Sequence, residues 1–545
     1  MARSLLFARL ASALATHRRA QVSGVAISDL IETQRLQGAL TRRRLLAGVA
    51  GAAALAALPG CGGARAAEKG SSVAIVGGGI AGLHCAYRLA KLGVRADLFE
   101  AGKRIGGRII SDRRTFAPLP CELGGELIDT GHETMHRLAG ELDIRLLDYA
   151  SDEGLDGMVG FVGGKKLSRD EMVLGLMPIA LAVDEALATL KDPEGDVTHA
   201  DPNGGEALDR LSLRQWLDQI GAQGPMRTVV EVAYTIEFGL EPDECNVLNL
   251  MMMIDSEAEK LALFGESDER FHAADGNDLF TSRLAAGLDG AQVRLDHVLE
   301  RIAARADGTH RLSFANGREV DYEHVVMAIP FSILRGLDVQ LELPVAKLRA
   351  IAQIGYGANT KLMVGFKDRL WRAAGSDGQV FTDLPFQNTW DTSRMQPGEA
   401  GIVTNFTGGT HARDIAAGTA DAQAQAFLAD FERVFPGARA SATGASVRMA
   451  WHEQPWVRGS YSSYKPGQYT AFAGSEGERV GNLHFCGEHT CLDAQGYMEG
   501  GALSGEWASD EVAEDLGLKK AAFHGGLRRD RRLARRRAAL QPTSA

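Results

Sequence analysis

Val73-Ala74-Ile75-Val76-Gly77-Gly78-Gly79-Ile80-Ala81-Gly82 is the stretch on which the reading of this chain turns. Four consecutive apolar residues suit a buried parallel strand, and residues 81–92 carry apolar side chains at helical spacing. The glycines between them have separate tasks. Gly77 permits a tight turn, Gly79 lets a pyrophosphate approach the backbone, and Gly82 lets the helix pack on the strand. Phosphates placed there meet unpaired N–H groups at the positive end of a helix dipole. Glu100 ends the next β-like run, about 20 residues past the turn, where a carboxylate can accept ribose hydroxyls. The pattern predicts a dinucleotide-binding βαβ unit, and Arg104-Ile105-Gly106-Gly107-Arg108 follows it directly.

The two ends of the chain read differently from its middle. Thr41-Arg42-Arg43-Arg44-Leu45-Leu46 precedes a short Ala/Gly/Leu run, and small residues follow at Ala64-Arg65-Ala66. A charged segment, a short apolar segment and an A-x-A site predict an export signal of the twin-arginine type over residues 1–66, and so a periplasmic destination. The apolar run is too short and too rich in Ala and Gly for a comfortable membrane span. Leu58-Pro59-Gly60-Cys61 resembles a lipoprotein processing box, so Cys61 is a candidate lipid anchor in competition with cleavage near Ala66. Residues 518–545 are crowded with arginine and predict a disordered basic tail. The whole chain carries a formal charge of -11, which argues against nucleic acid as a partner.

Residues 72–517 are too many for one hydrophobic core, so two domains are expected. Cys85, Cys121, Cys245, Cys486 and Cys491 show neither metal-ligand spacing nor a disulfide framework, and no metal is expected. A second glycine pair follows at Leu123-Gly124-Gly125. Residues 161–268 read mainly helical, and a β-rich stretch begins near Val293. Val325 to Pro330 and Lys361 to Phe366 read as buried strands, and Gly500 to Leu516 as a terminal helix. Cofactor-binding pieces at both ends and in the middle imply interleaved domains.

Taken together, these motifs resemble the FAD-dependent amine oxidases. The resemblance covers nearly all of residues 72–517. It rests on the glycine turn with Glu100, Arg104 to Arg108, Leu123-Gly124-Gly125, Val298, Ala328-Ile329-Pro330 and Asn359-Thr360-Lys361. It continues through Trp451, Trp456 to Tyr461, Gly487-Glu488 and Gly496-Tyr497-Met498-Glu499-Gly500. The fold it implies is α/β: a Rossmann-like FAD-binding domain built from 72–160, 270–340 and 470–517. An α+β substrate-binding domain, from 161–269 and 341–469, would be interleaved with it.

The resemblance also implies roles. Gly77, Gly79, Ala81, Gly82, Glu100 and Arg108 would hold the ADP half of FAD, with Val298 at the adenine and Trp456 also on the cofactor. Gly124, Gly125 and Met498 would lie by the isoalloxazine, and Glu488 by the ribityl–pyrophosphate region. That carboxylate is electrostatically out of place unless it bonds a hydroxyl or a backbone N–H. Lys361 would hold a water against flavin N5, and Tyr461 and Tyr497 would form an aromatic cage with affinity for an approaching cation. Trp451 and Trp456 would line the same wall.

Departures from the family refine the expectation. Ser460 stands where monoamine oxidase has its flavin-linked cysteine, so FAD should be non-covalent. Gly125 is followed by Glu126, where the L-amino acid oxidases have a carboxylate-clamping arginine; Arg227, Arg270 and Arg394 remain as substitutes. The expected reaction is oxidation of a primary amine or polyamine by hydride transfer to FAD, with O2 yielding H2O2 and no protein acid or base strictly needed. An L-amino acid oxidase, a desaturase of the same fold and a non-catalytic flavoprotein are the alternatives.

Overall fold

The computed structural model describes residues 72–518 apart from 153, 156 and 291, with the backbone of 68–69. The expected export signal over 1–66, with Cys61, and the expected basic tail apart from Leu518 lie outside the described residues.

The strand Val73–Val76 sits in the centre of a five-stranded parallel sheet. Its neighbours are Ala96–Phe99 on one side and His324–Met327 on the other, with Val293–Arg294 and Leu483–Phe485 at the edges. Segments from both ends and the middle of the chain therefore share one sheet. Val73, Ala74 and Ile75 are fully buried, as a parallel strand covered on both faces requires. Each such Val or Ile contributes roughly 1.5–3 kcal/mol of burial free energy.

The turn after this strand uses Gly77 in a left-handed conformation (φ +119°) and enters the helix Ile80–Lys91. That helix has no acidic residue in its first turn and Arg88 and Lys91 in its last, which leaves its positive end uncompensated and its negative end satisfied. The last helix, Met498–Asp515, packs against it so closely that a Cβ on Gly505 would lie 2.3 Å from the Ala81 carbonyl oxygen. The last described helix is thereby locked onto the first described helix.

A second five-stranded sheet contains Leu299–Ala304, His310–Phe314, Glu319–Tyr322 and Asp338–Gln340. The third, of seven strands, has Asn359–Phe366 near one edge, between Ala442–Ala450 and Gly401–Gly408. It runs on through Asn388–Asp391 and Val380–Thr382 to Val159–Val162. Every residue of Asn359–Phe366 is buried. The helices Arg169–Leu187, Leu213–Gln219 and Pro225–Phe238 cover this sheet's far end around their own apolar core, which absorbs Val247, Leu248, Leu250 and Met251. No helix among the described residues is long and apolar enough to cross a membrane.

A Gly505→Val substitution should separate the two terminal helices and cost about 1–3 kcal/mol through overpacking. Thermal unfolding measures the loss, and the ratio of flavin to protein absorbance shows whether the nucleotide turn goes with it.

Candidate active site

One cavity of about 780 Å³ runs from the nucleotide turn to the seven-stranded sheet. At its first end stand Gly77, Gly78, Gly79, Ile80, Ala81, Glu100 and Val298. A Cβ on Gly79 would meet nothing within 4 Å, whereas one on Gly82 would lie 2.0 Å from the Gly77 carbonyl oxygen. Gly79 therefore keeps backbone open to a ligand, and Gly82 closes the turn. The Glu100 carboxylate accepts the Gly78 N–H at 2.8 Å and the Gly102 N–H at 2.7 Å, so it braces the turn while facing the cavity. Arg104 donates to the Ile105 and Gly107 carbonyls and holds the next glycine turn in shape. The Val298 carbonyl accepts from Ala315 N–H at 2.9 Å.

Glu488 is the knot in the middle. One of its oxygens accepts from Arg108 Nη1 at 2.8 Å and Ser462 N–H at 3.2 Å. The other accepts from Ser462 Oγ at 2.7 Å and Gly496 N–H at 3.0 Å. Burial pushes this carboxyl up, but the Arg108 guanidinium and these donors outweigh it and hold it below the usual carboxylate range. The electrostatic objection to an acid in this position is thus answered by the protein's own donors. Arg108 also donates to the Ser460 carbonyl at 2.8 Å.

Past Glu488 the cavity is framed by Gly124, Gly125, Met498, Lys361, Trp390, Tyr461, Tyr497, Glu126, Glu237 and Glu269. A Cβ on Gly124 would lie 1.8 Å from the Arg108 carbonyl oxygen, and one on Gly125 would lie 2.8 Å from Met498 Cγ. These two glycines are the condition for the Arg108 backbone and the Met498 side chain to pack against this segment. Trp451 sits beneath them and donates from Nε1 to the Leu123 carbonyl at 2.9 Å. Trp456 is elsewhere: it is 40% exposed and stands over Gly102, beside Glu100. The expectation of two tryptophans in one wall is corrected on this point, because the loop from Gln454 to Arg458 carries Trp456 toward the nucleotide end.

Lys361 projects from the strand Asn359–Phe366 and donates to Glu126 Oε2 at 2.6 Å, the Gly124 carbonyl at 2.8 Å and the Glu122 carbonyl at 3.2 Å. An ammonium has three protons to donate, and here all three meet protein acceptors. The opposite oxygen of Glu126 accepts from Trp390 Nε1 at 3.0 Å and Thr392 Oγ1 at 2.8 Å. Tyr461 donates to the Ile236 carbonyl at 3.3 Å, the same oxygen that Asn359 Nδ2 reaches at 2.6 Å. Tyr497 donates to Glu237 Oε1 at 3.1 Å, and its ring meets that of His132 edge-on at 5.2 Å.

Glu237 and Glu269 line the cavity and are half-buried. Burial, with the nearby Asp129 as a like charge, raises Glu237 to about 7. Burial together with Asp129, Glu237 and Glu126 raises Glu269 to about 8. Glu269 is also held with φ at 47°, a backbone conformation uncommon outside glycine. None of Glu126 as a lysine partner, Glu237, Glu269 or Trp390 was foreseeable from a motif. Glu237 reads as one more position on a helix, and Glu269 lies in an irregular segment.

The three spare arginines are committed away from the cavity. Arg227 pairs with Asp218 and Glu231, Arg270 with Asp148, and Arg394 with Asp152 and Asp377. The described cysteines are all free and buried, and none lines the cavity. The Ser460 hydroxyl is bonded to Asn359 Oδ1.

A model of the flavin containing amine oxidoreductase family matches residues 80–513. The chain belongs to this family. Its cofactor is FAD and its activity is that of an oxidoreductase on amines. The flavin-containing amine oxidase of Danio rerio is 25% identical over 83% of this chain and 87% of the relative. The putative flavin-containing monoamine oxidase AofH of Mycobacterium tuberculosis is 25% identical over 81% of this chain and 96% of the relative. Among solved structures, cyclohexylamine oxidase from Brevibacterium oxydans superposes with a TM-score of 0.73 at 23% identity, covering 82% of this chain and 99% of that one. A putrescine oxidase bound to putrescine does so with a TM-score of 0.69 at 18% identity, over 82% and 99%. The family match and the shared fold agree with an FAD-binding domain joined to a substrate-binding domain. The open backbone at Gly79, the exposed helix N-terminus and the length of the cavity fit this cofactor.

Replacing Arg108 by Met should leave Glu488 buried without its counter-charge and cost about 3–5 kcal/mol. Glu488→Gln keeps a hydrogen-bonding group and should cost less. Because the folded pKa of Glu488 is depressed, its share of stability is present above the unfolded carboxylate pKa and is lost as pH falls through the lower folded value. Unfolding of wild type and Glu488→Gln between neutral and acid pH checks this: the two curves should converge in acid.

Proposed function

We propose that this chain oxidises a cationic amine that lacks a carboxylate, a primary amine or a polyamine, with O2 as the final acceptor and H2O2 as a product. The observation that carries this reading is the charge at the far end of the cavity. Tyr461 and Tyr497 stand there with Glu237 and Glu269, and Lys361 is committed to Glu126. An ammonium entering this end meets two aromatic rings and two carboxylates. A substrate carboxylate would meet Glu237 and Glu269 while Arg108, the arginine nearest in the cavity's middle, is committed to Glu488 and the Ser460 carbonyl, which disfavours an L-amino acid.

Bound FAD would supply the two-electron acceptor for the amine's α-hydrogen. The chain's own residues supply the rest. The helix N-terminus at Ile80 and the Glu488–Arg108 knot fix the cofactor end, and the tyrosine pair orients the amine. Burial by Met498, Trp390 and Trp451 keeps water away. Glu237 and Glu269 attract the ammonium when ionised and can hold the proton that it must release, since the reacting amine is neutral. Non-covalent FAD is supported by the lack of a lining cysteine among the described residues. The arginine-led signal before Leu45 supports an exported, periplasmic enzyme, with Cys61 or a site near Ala66 as the processing point.

A panel of primary amines, diamines and matching amino acids, read by peroxide release, tests the reading. Amines should yield peroxide and the amino acids should not. A flavin-loaded protein silent toward the whole panel would favour a desaturase or a non-catalytic role. For the carboxylates, the probe is a non-oxidisable quaternary ammonium ion, whose own charge does not titrate. Its affinity, read from the flavin spectrum, should rise as pH passes from about 6 to about 9, because Glu237 and Glu269 ionise near 7 and 8. Glu269→Gln should weaken binding at high pH about ten-fold and flatten the upper part of that profile.

A further inference from the structure

We infer that Lys361 and Glu126 act as one electrically neutral unit in the wall of the flavin end of the cavity, with Glu126 the residue that positions Lys361 and cancels its charge. Both side chains are buried, at 7% and 2% exposure, and their charged atoms are 2.6 Å apart. Neither is a dangling partner. Lys361 has no proton left after Glu126 and the carbonyls of Glu122 and Gly124, and Glu126 is filled on its other side by Trp390 and Thr392. The Thr392 hydroxyl in turn meets that of Thr404 at 2.5 Å, so the carboxylate is held from the neighbouring strands as well. Lys361 also lies 5.1 Å from the centre of the Trp390 ring.

The position of this unit follows from the shape of the cavity. A dinucleotide with its pyrophosphate at the helix N-terminus and its ribose at Glu100 occupies the first end. The isoalloxazine must then extend along the same cavity to the other end, where Gly124, Gly125, Lys361 and Glu126 form the wall. Any net charge in that wall acts on a ring that becomes more negative on reduction. A lone ammonium there would favour the reduced, anionic form and its reaction with oxygen, in which two electrons and the accompanying protons pass to O2 and leave H2O2 and oxidised flavin. In this chain Glu126 offsets that ammonium. The residue after the glycine pair is therefore a setting for flavin electrostatics as well as a substrate-clamp position.

The proposal rests on FAD being bound but not on any amine being oxidised, so its test uses sulfite, an anion whose addition to oxidised flavin leaves negative charge on the ring. Lys361→Met leaves Glu126 uncompensated and should weaken sulfite binding about ten-fold and lower the midpoint potential of the bound FAD. Glu126→Gln should shift both readouts the opposite way. The double variant Lys361→Met/Glu126→Gln replaces a neutral pair by a neutral pair, and should retain FAD with a sulfite affinity within about three-fold of wild type. Reoxidation of the reduced enzyme by oxygen should follow the same order. If the double variant behaves like Lys361→Met, the lysine acts alone and the proposal fails. Should the single variants lose FAD, the double variant decides by itself: loss of FAD there too would overturn it, because a neutral unit would then not be replaceable by another. Absence of peroxide with every amine, alongside the expected sulfite cycle, would count against the amine reading and leave this inference standing.

Discussion

Four donors converge on the two oxygens of Glu488, and the active site depends on that convergence. Arg108 comes from the segment after the nucleotide turn, Ser462 from the residue next to Tyr461, and Gly496 from the residue before Tyr497. Arg108 in turn grips the Ser460 carbonyl. One buried carboxylate thus fixes the segment of Arg108 and the neighbours of Tyr461 and Tyr497 relative to one another. A buried charge survives only if its partners repay its desolvation, and a site built this way cannot lose one arm without exposing the others. The same economy holds at Glu499, which spends its carboxylate on the N–H groups of Thr134 and Met135 and so caps the helix Glu133–Glu141.

The cavity is electrically divided. Its nucleotide end presents the uncompensated N-terminus of the helix Ile80–Lys91, which suits a pyrophosphate. Its far end presents Glu237 and Glu269, whose ionisation is held back by burial and by the nearby charge of Asp129. A cation arriving there relieves both costs, whereas an anion adds to them. The ammonium of Lys361 in that wall does not upset the division because Glu126 offsets it.

Much of this was legible in short stretches of chain. The run Val73 to Gly82 is found as strand, turn and helix, and the glycines at 124 and 125 stand where contacts of 1.8 and 2.8 Å would forbid a side chain. Lys361, Tyr461 and Tyr497 do line one cavity. Glu237 and Glu269 were not legible: each is brought to the cavity beside Tyr461 and Tyr497 by helices and loops that carry no motif. Trp456 was legible as a motif residue but not as to place, since the loop that carries it leads toward Gly102. Arg227, Arg270 and Arg394 could be counted but not located, and each proves to be tied to its own carboxylates.

By itself the sequence determined the cofactor-binding unit and, through it, the amine oxidase family. These depend on local backbone requirements: a glycine where no Cβ fits, a strand buried on both faces, a helix end left open to phosphate. Tertiary structure alone decided the electrostatics. Whether a lysine is a free charge or half of a neutral pair, and whether a carboxylate is braced or facing an empty slot, depends on groups far apart in the chain. Lys361 and Glu126 are separated by 235 residues, and Arg108 and Glu488 by 380. Charge interactions are set by distance in space and by burial, and no local pattern records either.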